Sequence, residues 1–319
     1  MRRSDYLLKR TLQALVTCFV AVTFNFLLFR ALPGSVVSNL SRVPNATPAL
    51  KEALTREFGL DHSLWSQYGS YLVQLTHVNL GVSYQNSRPV IDNLIADLGN
   101  TIPMVTLGTL ISIVLGIVTG AVAAWRRGTQ LENWAVAPAL AFYAMPAQWL
   151  GMMFIVLFSA YLPTGGMVDN FLINPTPVQH IEDLLRHMIL PSLTLGLVLY
   201  GQYTLIVRSS MLETLSEDYI LTAKAVGFSK PRILARYAFR NAMLPVVSVV
   251  ALSLGFIVGG AILVETVFNW PGIGLAVYQA VLYRDYPMLQ GAFLVLTLSV
   301  IFFNLVADLL YFRLDPRIR

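Results

Sequence analysis

The sequence predicts an all-α integral membrane protein of six transmembrane helices, with both termini cytoplasmic and a short cytoplasmic helix between the fourth and fifth spans. Three observations carry this. The 319 residues are 56% hydrophobic and only 12% charged, about half the charge of an ordinary soluble domain, and the mean hydropathy is +0.63. The apolar residues fall into six runs long enough to cross a bilayer as helices. The lysines and arginines gather in the segments on one side of those runs.

The runs occupy 11–29, 101–124, 134–162, 188–207, 242–264 and 288–312. None alternates with the period of a barrel strand, so the backbone amides must be satisfied within helices. The first run is 19 residues without a charge, longer than the core of a secretory signal, and no small-residue cleavage site follows it. It therefore reads as an uncleaved span covering 11–31 after a cytoplasmic tail of 1–10. Loop 32–98 follows, then a core of 99–312 with the remaining spans and a cytoplasmic loop at 208–241, and a tail of 313–319. Pro138 and Pro146 predict kinks in the third span.

Orientation rests on basic residues. Arg2, Arg3, Lys9 and Arg10 precede the first span, Arg126 and Arg127 lie in 125–133, and Arg208, Lys224, Lys230, Arg232, Arg236 and Arg240 lie in 208–241. Arg313, Arg317 and Arg319 close the chain, whereas the short opposite loops hold only Arg186 and Arg284. This asymmetry places both termini in the cytoplasm. The net charge of +5 is thus topological, and nucleic acid is not expected as a partner. The one cysteine, Cys18, lies in the first run and reads as a small buried hydrophobe.

Loop 32–98 carries helical signals of its own. Thr47 and Pro48 open one helix that Gly59 stops. Leu64, Tyr68, Tyr71, Leu72 and Leu75 share a helical face, as do Ile91, Leu94, Ile95 and Leu98. Such helices suit a small outer cap, an interfacial elbow or a docking surface.

The cytoplasmic loop is the most informative stretch. Ser216 suits a helix N-cap, and Glu217 and Asp218 suit the positive end of its dipole. Gly227 suits the left-handed residue that ends a helix, and Pro231 blocks continuation. A short helix over 216–228 follows, whose Ala223 and Ala225 would let another backbone come close. A second stretch, 232–241, repeats Arg232, Arg236 and Arg240 every four residues. By residues alone, resting on anionic lipid and docking a partner both remain open.

The runs TAKAVG (222–227) and RNAMLP (240–245) resemble the cytoplasmic EAA loop of ATP-binding-cassette importer permeases, within the dipeptide, oligopeptide and nickel branch. The likeness spans the chain in family order: FGLDHSLWSQY (58–68), GVSYQNSRPV (81–90), HMILPSLTL (187–195), ETVFNWPGIG (265–274), RDYPMLQG (284–291) and LDPRIR (314–319). Some details are also similar to oligosaccharide-transporting members. Leu221-Thr222-Ala223 stands where the wider superfamily has Glu-Ala-Ala, Ser35 where an acidic residue is common, and Gln148 where an aromatic often precedes Trp149.

The resemblance implies a prokaryotic inner-membrane permease. Its partners would be a second homologous permease, two ATPase domains, an extracytoplasmic solute-binding protein and lipid. Glu217, Asp218, Tyr219, Thr222, Ala223, Ala225 and Gly227 would couple it to the ATPases, which bind ATP and magnesium; no cofactor is expected in this chain. Consistently, the sequence has no Gly-Lys pair, hence no phosphate-binding Walker loop, and no metalloprotease or nucleophile-elbow motif. The histidines His62, His77, His180 and His187 form no ligand-spaced cluster, so no metal site is expected.

Glu265 and Asp308 are acids near span ends, where function is the default hypothesis, and Glu265 and Trp149 are the candidate pathway residues. An ion-driven secondary transporter is the rival reading. It would place ionisable residues at mid-depth, where these spans carry almost none.

Overall fold

The computed structural model describes residues 3–31, 63–169, 171–172, 174–243, 245–247, 249–250 and 261–314. These are mainly helical, with α1 (Arg3–Ala31), α2 (Leu64–Thr76), α3 (Val90–Trp125), α4 (Gln130–Ala144), α5 (Ala147–Phe158) and α6 (Pro177–Leu215) in order. There follow α7 (Asp218–Ala225), α8 (Lys230–Arg232) running into a π-helical stretch (Ile233–Ala238), α9 (Ile262–Val267), α10 (Ile273–Tyr283) and α11 (Tyr286–Leu314). Among the described residues β pairing is confined to one isolated bridge, Val82 with Pro89.

Among the described residues four helices are long and apolar enough to cross a membrane: Leu7–Ala31, Val90–Trp125, Pro177–Leu215 and Tyr286–Leu309. The α4–α5 pair, bent by 104°, makes up to five if counted as one span. The protein is therefore an all-α membrane protein. Most of the expected fifth span, 251–260 in particular, lies outside the described residues, as do Ser35 and the expected helix opening at Pro48.

Two long rods form the centre. α3 and α6, at ~54 and ~58 Å, both overrun a hydrocarbon core of about 30 Å. α3 begins at Val90, so the expected outer helix and second span are one continuous element. Inside its first turns Leu94 is buried, whereas Ile95 is 63% exposed. The rods meet along small residues. A Cβ on Gly120 would lie 2.7 Å from the Thr204 carbonyl oxygen, and one on Gly196 would lie 2.9 Å from that of Gly108. Close backbones, rather than an apolar drive that lipid cancels, hold such a pair. Thr119 and Thr204 share a hydrogen bond of 2.8 Å, and Ser192 Oγ donates to the Met104 carbonyl at 3.0 Å.

The third expected span is broken rather than kinked. Met145 is held extended at φ −79° and ψ 135°, the conformation a residue before proline prefers, and α5 starts after Pro146. Pro138, by contrast, lies inside α4 without ending it.

α1 is the most exposed of the four long helices. It packs against α2 through Phe26, whose ring centroid lies 5.2 Å from that of Tyr68 and 5.4 Å from that of Tyr71. Thr23 and Tyr68 share a 2.6 Å hydrogen bond. The expected face of α2 is thus used, except that Leu64 is exposed. Near the other end of α1, Arg10 pairs with Asp308 of α11 at 3.2 Å.

Candidate functional site

The segment 216–241 is built from its anchors outward. Ile220 and Ala223 of α7 are buried together with Ile233 and Ala238 of the π-helical stretch, and Leu215, Phe228 and Tyr237 pack around them. Phe228 and Tyr237 stack at 5.7 Å, and the Arg232 guanidinium lies 4.5 Å over the Phe228 ring. Asn241 Nδ2 donates to the Tyr219 hydroxyl at 2.8 Å, tying α7 to the residues that follow the π-helical stretch.

The helix ends as its sequence foretells. Gly227 sits at φ +86°. Its N–H donates to the Lys224 carbonyl at 3.0 Å, and the Phe228 N–H reaches back to Ala223 at 3.2 Å. This pair of bonds is a Schellman end, which satisfies otherwise orphaned carbonyls. The start differs from expectation. Ser216 closes α6, its Oγ donating to the Glu213 carbonyl at 2.7 Å, and Glu217 occupies the N-cap of α7 without a side-chain cap bond. The helix is therefore 218–225 rather than 216–228.

Glu217, Asp218, Tyr219, Thr222, Ala225 and Gly227 are exposed. Ala223 is not. At 5% exposure its small side chain admits the chain's own Ile233, which corrects the expectation that it admits a foreign backbone. Leu221, at 56%, and Val226, at 67%, give the outer face an apolar character. Of the expected basic stripe, Arg232 is engaged by Phe228 while also exposed, and Arg236 and Arg240 face outward.

Above this segment, Arg208 of α6 donates to Glu132 Oε1 from Nε at 2.9 Å and from Nη2 at 2.5 Å. The other carboxylate oxygen accepts from the Gly128 N–H at 2.6 Å. The loop joining α3 to α4 is thereby strapped to the base of α6. The sequence reading did not single out Glu132 or Asn241. An acid inside an otherwise basic loop was the available signal for the first.

At the opposite end, Glu265 is fully buried. Its Oε1 accepts from Thr101 Oγ1 at 2.7 Å, and its Oε2 accepts from the N–H groups of Gly274 at 2.7 Å and Leu275 at 3.0 Å. Those amides open α10, so the carboxylate caps that helix where its dipole favours negative charge. Trp270 Nε1 donates to the Asn100 carbonyl at 2.9 Å, and Asn100 Nδ2 donates to that of Pro271 at 2.8 Å. The segment 265–275 is thus a latch fastened to α3 at Asn100 and Thr101. Trp149 is half-exposed on α5, alongside Met152 and Val156 on the same outward side. The structure does not bring Glu265 and the coupling residues together; they belong to separate constructions. Among the described residues no group of histidine, cysteine or acidic side chains is arranged to hold a metal.

Comparison with known proteins gives this arrangement its setting. Residues 112–319 match the family described as the binding-protein-dependent transport system inner membrane component, and residues 3–105 match the N-terminal region of such membrane components. The dipeptide transport system permease protein DppB of Escherichia coli strain K12 is 36% identical over 330 aligned positions, covering 97% of each chain. A putative peptide permease protein of Brucella suis biovar 1 is 39% identical, covering 98% of each. The glutathione transport system permease protein GsiC of Escherichia coli O6:H1 is 34% identical, covering 99% of each. The chain belongs to the family of binding-protein-dependent transport system inner membrane components, and is the multi-pass plasma-membrane permease subunit of an ATP-binding-cassette importer, not an enzyme in its own right.

Proposed function

We propose that this chain forms half of a translocation pathway for peptides and that α7 is the lever through which a separate ATPase moves it. Importers of this family work with ATPase and substrate-binding partners. The assembly proposed is this chain, a second homologous permease, two ATPase domains that bind ATP and magnesium, and one extracytoplasmic solute-binding protein. The basic loops support six spans with both termini cytoplasmic. The transport functions of the relatives, dipeptide, peptide and glutathione transport, support a peptide as solute over an oligosaccharide.

The observation that carries the lever is the contrast within α7. One face is locked onto the protein by Ile220 and Ala223, and the other presents Tyr219, Leu221, Thr222 and Val226 to solvent. A rigid outward face of this kind fits a cleft in an ATPase. ATP-driven closure of that partner would bias the pathway between two openings. Trp149 then lies on a face available to the pathway, while Glu265 holds its outer wall in shape.

Gly227→Asp tests the lever. A side chain at φ +86° strains the helix end by about 1 kcal/mol and adds a charge beside the docking face. The variant is expected to insert normally, and its complex to hydrolyse ATP without matching uptake. Normal uptake by that complex would remove α7 from the coupling step.

A further inference from the structure

At the latch end of the chain lies an open cavity of about 380 Å³, a volume in the range of small-molecule sites. Its wall includes Gln85 and Asn86 from the turn before α3, Asn93 and Asp97 from α3, and Gln279 from α10. Among the described residues no lysine or arginine lines it.

Most of the polar wall is already fixed. Asn86 and Asn93 bond each other at 3.1 and 3.3 Å, and Asn86 Oδ1 also accepts from the Arg88 N–H at 3.1 Å. Asp285, next to the cavity, is occupied by Ser83 Oγ at 2.5 Å and by the N–H groups of Gln85 and Met288, each at 3.2 Å. Glu265 behind the wall is saturated by three donors. Asp97 differs. It is half-buried and makes no hydrogen bond or ion pair among the described residues, and neither do the side-chain amides of Gln85 and Gln279.

A carboxylate partly withdrawn from water, near a second acid and without a cation, is an unfavourable arrangement until a positive group joins it. An ammonium brings three N–H donors, and the free acceptors here are the Asp97 carboxylate and the two glutamine carbonyls. We infer that this cavity receives an ammonium group and, on the peptide reading above, the α-ammonium of the solute as it passes the outer end of the permease. The cavity's volume favours a whole small solute over the tip of a single lysine from the binding protein.

The test is protection from labelling in the assembled importer. Ala276, which lines the cavity, is replaced by cysteine in a Cys18→Ala background, and its reaction with an impermeant maleimide is timed. Alanyl-alanine and propylammonium are each expected to slow labelling, N-acetyl-alanyl-alanine is not, and Asp97→Asn should weaken protection about tenfold, the worth of one charged hydrogen bond. Assembly of the Asp97→Asn complex is checked by co-purification of its ATPases, and the comparison of free with acetylated peptide needs no Asp97 variant.

Equal protection by both peptides, or none by any amine, overturns the ammonium site. Protection by the binding protein alone, with or without peptide, assigns the cavity to docking and also overturns it. Dipeptide uptake by the native complex is measured separately. If uptake is absent while propylammonium still protects, the peptide reading fails and the ammonium site stands.

Discussion

Glu265 shows at the residue scale what a sequence reveals and what it withholds. An acid flanked by apolar runs announces itself, but its partner Thr101 lies 164 positions away, and no local pattern joins the two. The structure shows a carboxylate spent on three donors, so its first duty is to hold α10 against α3. Glu265→Ala leaves those donors without their acceptor at about 1–3 kcal/mol each. Thermal unfolding of the detergent-solubilised complex is expected several degrees lower, with Glu265→Gln retaining part of the loss. An unchanged midpoint for the alanine variant would mean that the latch bears no load. Asp97, by contrast, gave no warning in the sequence, because its isolation appears only once Asp285 and Glu265 are seen to be engaged.

At the element scale, α7 was legible where backbone chemistry dictates it. Gly227 and Pro231 forecast the stop, and the stop is there. What was not legible is which way the helix faces, since Ala223 and Ala225 look alike on paper and only one of them is buried. The exposed Leu221 now carries a sharper expectation than it did in the sequence. Leu221→Glu should leave the fold unchanged, because the side chain touches little of this chain. It should also reduce the amount of ATPase that co-purifies with the permease, scored on a gel. Full recovery of ATPase would place the docking contact elsewhere on α7. The α3–α6 seam was missed altogether. Its signal, the small residues Gly108, Ser112, Gly116 and Gly120 at every fourth position, is plain once the rods are known to touch.

For the whole molecule, hydropathy located four long helices and the broken pair, because twenty apolar residues in a row have few other solutions in lipid. Their ends were less legible. α3 and α6 continue well past the apolar runs, carried by packing against α10 and α11 and by capping at Thr176, where Gln179 completes a capping box. Gentle purification of the tagged chain from its native membrane should bring down a second permease and ATPases in fixed ratio, identified by mass spectrometry. Recovery of the chain alone after mild crosslinking would argue against the proposed assembly.

The glycine seam has a mechanical consequence. Each rod seats side chains of the other on its glycines, Val207 on Gly120 and Ile111 on Gly196, so sliding one along the other would drive those side chains into backbone. α3 and α6 must therefore travel as one stiff beam, with the strap from Arg208 to Glu132 bracing its lower end. Any rocking driven from α7 is then absorbed off the beam, at the elbow of Met145 and Pro146 and along the π-helical stretch 233–238, two joints where regular α-helical bonding is already interrupted. The seam keeps the beam stiff, and those joints are the hinges.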